Sequence, residues 1–251
     1  MANILITGAG SGFGKGAALE LAGRGHAVTA ATFLQSEADD MAAAHPELST
    51  LKLDVTNPDD VALVASMDVD VLINNAGRGC MAPLSNVPLD EVRKTFEVNV
   101  VGMLAMCQAA IPGMKTRGSG RIINVSSIAG VLAGAMSSPY AMTKHAVEAL
   151  TVSMREELAP YGVDVIKINP GPYLTGFNDR MVDGIEPFID ANDEPAVGAH
   201  QFLKDVMKNQ SDPQEIVTAL ADLAEAKTAP HETFLPEGIK DMLDAVLASR
   251  E

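Results

Sequence analysis

The sequence predicts an α/β protein, a doubly wound parallel sheet with helices on both faces. Three observations predict it. Short apolar runs alternate with longer helical patterns, and such alternation builds a parallel sheet covered on each side. The runs are near-continuous Val, Ile and Leu, the composition of strands buried on both faces. A glycine-rich turn, Thr7-Gly8-Ala9-Gly10-Ser11-Gly12-Phe13-Gly14, joins the first run to the first helical stretch.

The elements follow in order. Asn3–Ile6 is a strand ended by Thr7-Gly8. Phe13–Arg24 spaces Ala17, Leu19, Leu21 and Ala22 at helical intervals, and Gly23 and Gly25 stop it. Ala27–Phe33 is the second strand, Ser36–Ala44 a helix, and Leu51–Leu53 a third strand closed by Asp54. Pro58–Ser66 is helical, with Asn57 as N-cap and Pro58 in the first turn. Val69–Ile73 is the fourth strand, Leu89–Met114 one long apolar-rich helix and Arg121–Val125 the fifth strand. Pro139–Ala159 is a second long helix and Val163–Ile168 the sixth strand. After Pro170 the composition changes. Phe177–Gln201 is acidic, carries prolines and is weakly periodic, the pattern of a surface lid over residues 176–210 rather than of a second domain. Pro213–Ala226 is helical, His231–Leu235 a last strand and Gly238–Ser249 a terminal helix. With no repeat, linker or low-complexity segment, residues 1–251 are expected to form one domain.

Charge and composition exclude several functions. The chain has 18 Lys+Arg against 33 Asp+Glu, a formal net charge of −15. Phosphate backbones need a basic stripe, and the longest basic run is the pair Arg93-Lys94, so no nucleic-acid partner is expected. An anionic membrane would repel such a chain. The longest apolar region, Val98 to Met114, is broken by Asn99, Gln108 and Pro112 and is expected to be too short to span a bilayer. The first residues have no basic stretch before a long apolar run, unlike a signal peptide. Cys80 and Cys107 are too few for a disulfide scaffold or a zinc ribbon, and no His pair has metal-ligand spacing. A cytoplasmic protein with no metal is expected.

The glycine turn carries the first chemical signal. Glycines permit positive φ and let a ligand approach the backbone. The helix that follows presents unpaired N–H groups and the positive end of its dipole, a ready site for pyrophosphate. A glycine cluster alone can serve packing only, but this one lies between a first strand and a helix, where a nucleotide turn belongs. Gly8, Gly12 and Gly14 fit Thr-Gly-x-x-x-Gly-x-Gly.

With that turn, the chain resembles the short-chain dehydrogenase/reductase family. Asn74-Asn75-Ala76-Gly77 follows the fourth strand and Asp54-Val55 the third. Asn99 lies in the long helix, Ser126-Ser127 after the fifth strand, then Tyr140-x-x-x-Lys144, then Pro170-Gly171 with Thr175. Each motif alone has a bland explanation: a surface pair, a turn, a buried amide or a cap. Their order and spacing over residues 3–175 carry the resemblance.

The resemblance implies a single-domain, Rossmann-type fold that binds NAD(P). The cofactor would be held by Gly8, Ser11, Gly12, Phe13, Gly14, Thr32, Asp54, Val55, Asn75, Ala76, Gly77, Tyr140, Lys144, Pro170, Gly171 and Thr175. It implies a catalytic set of Ser127, Tyr140, Lys144 and Asn99. Tyr140 and Lys144, four apart on a helix, share a face. A phenol with pKa near 10 is a poor base at neutral pH, and a nearby ammonium favours its ionised form. Tyr140 is thus expected to act as general acid/base, with Lys144 tuning it and holding the nicotinamide ribose. Ser127 would hold the substrate oxygen, and Asn99 would hold a water relaying protons from Lys144.

Cofactor choice depends on what meets the adenosine 2′ position at the end of the second strand. Thr32 stands there, followed by Phe33, so the carboxylate that would repel a 2′-phosphate is missing. No Arg follows it, and Ser11 is not basic. The balance between NADP and NAD tips slightly to NADP. Leu132, Ala133, Ala135 and Met136 suggest an apolar pocket wall, and Phe177, Phe188 and Ile189 an apolar lid underside. A small neutral or apolar alcohol or ketone is the expected substrate. Cys80 could line the pocket or simply pack. Two alternatives are a cofactor-dependent epimerase without net redox and a dinucleotide-binding sensor without turnover; a sensor has no need of the proton-handling residues. By analogy with the family, Leu89–Met114 and Pro139–Ala159 would pair copies into a homodimer or homotetramer.

Overall fold

A computed structural model describes residues 1–249 of the chain; Arg250 and Glu251, the last two of the expected domain, lie outside the described residues. Seven parallel strands form one sheet in the order β3-β2-β1-β4-β5-β6-β7. They are β1 Asn3–Thr7, β2 Ala27–Thr32, β3 Ser49–Lys52, β4 Val71–Asn74, β5 Gly120–Val125, β6 Val163–Pro170 and β7 Glu232–Leu235. The α-helices are α1 Gly12–Gly23, α2 Gln35–Ala44, α3 Pro58–Val64, α4 Leu89–Phe96, α5 Met103–Arg117, α6 Ser138–Leu158, α7 Phe177–Asp183, α8 Glu194–Val206, α9 Gln214–Glu225 and α10 Ile239–Ala248.

Strand alternation explains the two-sided core. Successive side chains in a strand point to opposite faces. Ile4 and Ile6 of β1 join Ile73, Ile123, Ile166 and Ile168 on one face, under Leu21 of α1 and Ile216 and Leu220 of α9. Leu5 joins Leu72, Ile122 and Val165 on the other, under Met106 and Met114 of α5 and Met154 and Leu158 of α6. Burying each such side chain contributes about 1.5–3 kcal/mol. The expected N-cap is present, with Asn57 Oδ1 accepting from the N–H groups of Asp59 (2.8 Å) and Asp60 (3.3 Å).

Three expectations change. The third strand is Ser49–Lys52, beginning two residues before Leu51; an edge strand needs no continuous apolar run. The region read as broken is one helix of 29 residues, Leu89–Arg117, long and apolar enough to cross a membrane. Its middle, Glu97–Gly102, widens into a π-helical turn. Polar residues do not end it because their groups find partners: the Asn99 amide bonds Arg78 and Thr143. The helix packs Met103, Met106, Cys107, Ala110 and Met114 inward, and Met106, Cys107, Ala110 and Met114 lie in the core on the sheet. Finally, the segment after β6 is largely helical, with α7, a 3₁₀ turn at Glu186–Phe188 and α8, which Asp193 caps through the Ala196 N–H (3.1 Å). Its Val182, Ile185 and Ala196 form a small core with Met81 and Met136 from the loops after β4 and β5.

The sheet order reverses between β1 and β4. Strands β1 to β3 wind outward one way and β4 to β7 the other. At such a reversal the loops leaving the two central strands diverge and open a crevice at the carboxyl edge.

Candidate active site

The crevice is built first from the glycine turn. Asn75 Nδ2 donates to the carbonyls of Thr7 and Gly8, both at 3.0 Å, and Thr7 Oγ1 accepts from the N–H groups of Asn75 (3.1 Å) and Ala76 (3.0 Å). The loops after β1 and β4 are therefore bolted together. This leaves no room for side chains: a Cβ on Gly8 would lie 2.7 Å from Ala76 Cα, and one on Gly14 2.5 Å from the Gly8 carbonyl oxygen. Gly8 and Gly12 also hold φ of +65° and +54°. Gly14→Ala is expected to lower stability by about 1–3 kcal/mol through overpacking and to weaken dinucleotide binding in the same step. Thermal unfolding and a binding titration check this, and unchanged values for both would refute the packing argument.

The α1 terminus suits an anion. Its cap residue, Ser11, makes no side-chain hydrogen bond to the helix, and its first turn holds no acidic residue. The N–H groups and dipole there favour a negative charge. A cradle of glycines before an uncountered helix start fits the pyrophosphate of a dinucleotide.

On the opposite wall, α6 presents Tyr140 and Lys144. Tyr140 is 8 % exposed and Lys144 4 %. Lys144 Nζ donates to the Val125 carbonyl at the end of β5 (2.8 Å) and lies 5.6 Å from the centre of the Tyr140 ring. Ser127 lines the same cleft as Tyr140, and its Oγ accepts from the Ala129 N–H (3.1 Å). Phe177 of α7 packs on the Tyr140 ring, with centroids 5.9 Å apart. Burial lowers the Lys144 ammonium to about 8, against an opposing pull from Glu148. Burial also pushes the Tyr140 phenol above its usual value, and the Ser127 side chain only partly offsets this. The expected lowering of the phenol does not emerge in the protein alone, where desolvation is the largest influence and raises it.

The cleft brings together Gly8, Ser11, Gly12, Phe13, Asn75, Ala76, Gly77, Ser127, Tyr140, Lys144, Pro170, Gly171 and Thr175. Asp54 and Val55 line an adjoining hollow that shares Gly8, Ala76 and Gly77. Three expected residues do not face it. Gly14 lies beneath the turn. Thr32 is fully buried and gives its hydroxyl to the Leu34 carbonyl (3.0 Å), because its place in β2 turns the side chain inward. Asn99 is also fully buried, and its amide is engaged by the backbone of Arg78 (2.7 and 2.9 Å) and by Thr143 (3.0 Å).

Several cleft residues were missed. Glu37 and Arg180 line both hollows. A Cβ on Gly10 would lie 2.7 Å from Glu37 Cδ, so this carboxylate rests over the glycine turn. Glu37 Oε2 accepts from the Leu34 N–H (3.2 Å) at the start of α2. With Leu34 rather than Ser or Thr at the N-cap, no capping-box motif marks this reach back in the sequence. Cys80 is buried, and its thiol is pushed up by desolvation. Among the described residues no group of three or more His, Cys, Asp or Glu could hold a metal ion.

Comparison with known proteins agrees with this architecture. A family model described as short chain dehydrogenase matches residues 2–185. The chain is 33 % identical over 238 residues to the uncharacterized oxidoreductase YusZ of Bacillus subtilis, covering 88 % of this chain and 83 % of that protein. It is 32 % identical over 239 residues to a 3-ketodihydrosphingosine reductase of Bacteroides thetaiotaomicron, covering 92 % and 86 %. A short chain dehydrogenase from Burkholderia cenocepacia, solved in complex with NADP, superposes with a TM-score of 0.78 at 29 % identity, covering 99 % of this chain and 94 % of that one.

Proposed function

The chain belongs to the short-chain dehydrogenase/reductase family of NAD(P)-dependent oxidoreductases, and from that premise we propose that it interconverts a secondary alcohol and a ketone, with Tyr140 as general acid/base. The observation that carries this reading is that Ser127, Tyr140 and Lys144, the last one helical turn along α6, line one cleft with the glycine cradle. When bound, the nicotinamide accepts or delivers the hydride.

The chain's own residues handle the oxygen and its proton. Ser127 donates to the substrate oxygen and stabilises charge developing there. Tyr140 gives that oxygen a proton during reduction and takes one during oxidation. Its raised pKa keeps the phenol protonated at neutral pH, the form that donates. Lys144 keeps a positive charge beside the phenol, and with Ser11, Gly12, Asn75 and Thr175 it would hold the cofactor. Asn99 secures the Arg78 backbone at the cleft's edge.

Phe177 against Tyr140, and the apolar cluster of Met81, Met136, Val182 and Ile185 behind it, support a neutral, fairly apolar substrate. The reading treats the chain as one cytoplasmic domain, with α7 and α8 as its substrate lid. Exposed Leu89 and Val101, and Met142 and Val152 on α6, support pairing of copies through these two helices. The test is a panel of ketones and alcohols assayed with both nicotinamides by absorbance of the reduced cofactor. Turnover of an apolar ketone supports the reading; no net absorbance change with any substrate refutes it.

Glu37 bears on the choice of nicotinamide. Its carboxylate lies between the glycine turn and the end of β2, where the adenosine 2′ position is read. Removing that charge by Glu37→Gln is expected to strengthen NADPH binding relative to NADH by about tenfold, ~1.4 kcal/mol. Titration of the cofactors' fluorescence checks it; an unchanged ratio removes Glu37 from 2′ recognition.

A further inference from the structure

A buried ion pair lies beneath the Ser126–Ser127 turn, and the reaction described above does not use it. Glu148 sits one helical turn past Lys144 on the same face of α6, and Lys167 lies on β6. Their side chains are 13 % and 9 % exposed. Lys167 Nζ donates to Glu148 Oε2. Glu148 Oε1 accepts from Ser126 Oγ and from Asn169 Nδ2 (2.6 Å). Asn169 Nδ2 also donates to the Ser127 carbonyl (3.2 Å). A Cβ on Gly130 would lie 2.9 Å from Glu148 Oε1 and from Ser126 Oγ, so the turn after Ser127 packs directly on the carboxylate.

A buried ion pair is weak evidence for stability, because desolvation can exceed the attraction. This pair instead spends its hydrogen bonds on one place, the strand-end turn that carries Ser127. The Glu148 charge, one helical turn from Lys144 on α6, also pulls on the Lys144 ammonium. The other titratable groups around Lys144 are Tyr140 on its own helix, Lys167 from β6 with Glu232 of β7 behind it (3.5 Å), and Glu37 and Arg180 across the cleft.

We propose that Glu148, held by Lys167, is a positioning residue for the reaction: it fixes the Ser126–Ser127 turn against α6 and sets a negative charge one helical turn from the Lys144 ammonium. The proposal rests on the catalytic reading of Ser127, Tyr140 and Lys144. The pull of Glu148 on Lys144 runs against that of burial, which agrees with this role.

Glu148→Gln and Lys167→Gln, each in the full chain, test it. Both break the ion pair, so a purely structural role lowers thermal stability in both and moves nothing else differently. The discriminating readout is reduced-cofactor binding against pH, followed by fluorescence, which does not depend on turnover. In the unaltered protein, binding is expected to weaken as pH rises through about 8, with Lys144 losing its proton. In Glu148→Gln this limb is expected about one pH unit lower, the effect of removing a nearby opposite charge, with kcat about tenfold lower. In Lys167→Gln the limb is expected to stay or move upward. Equal displacement in both variants, or none in Glu148→Gln, overturns the proposal. If Glu148→Gln does not fold, the double variant Glu148→Gln with Lys167→Met removes both buried charges. A downward displacement no larger than about one pH unit is then expected, since losing the Lys167 charge opposes it, and no downward displacement overturns the proposal. Tyr140→Phe is the control: full turnover in that variant sinks the underlying catalytic reading, whereas the binding limb reports on Glu148 alone.

Discussion

Tyr140→Phe is expected to lower kcat by about 10² to 10⁴, the range a positioned general acid/base contributes, while cofactor affinity stays within about twofold. The substitution removes one oxygen from a buried ring. The ring's packing on Phe177 survives, so the fold and the cleft wall remain. What is lost is the hydroxyl proposed to carry the proton. Steady-state rates with a turned-over ketone, beside a binding titration of the reduced cofactor, read the two effects separately. A variant that keeps near-normal kcat removes Tyr140 from the chemistry.

Lys144→Met is expected to have the second largest effect, and a different one. Cofactor affinity should fall by about tenfold or more, and kcat by about 10² or more, since under the proposed function one ammonium would serve both the ribose and the phenol. Methionine has a similar length and no charge, so the side chain still fills its buried place on α6. The Val125 carbonyl loses its 2.8 Å donor, an unmet acceptor costing about 1–3 kcal/mol. Release from burying a charge opposes that cost, so thermal stability should change little. Binding titration and kcat together check it. Loss of kcat with unchanged affinity would leave Lys144 only its role beside Tyr140.

Much of this was legible in the sequence. Runs such as Asn3–Thr7 and Val163–Pro170 form strands because alternate Ile, Leu and Val can bury both ways. The glycine turn and the Tyr140–Lys144 spacing were readable because backbone clearance and helical period act over a few residues. Longer-range effects were not readable. The π turn at Glu97–Gly102 has no compositional signal, and Gly184, Pro187 and Pro195 masked the periodicity of α7 and α8. Thr32 is aligned with the cleft by position, yet strand alternation turns it inward. Glu148 and Lys167 meet only because α6 packs on β6, an event that no local pattern records. The direction of the Tyr140 shift depends on burial, which a motif does not contain.

The most direct test of the central claim is a crystal structure of the protein soaked with NADP(H) or NAD(H). The pyrophosphate is predicted over the start of α1 and the nicotinamide ring beside the Tyr140 hydroxyl, with Lys144 on its ribose. A ring bound far from that hydroxyl, or a crevice still vacant at saturating dinucleotide, would contradict the account.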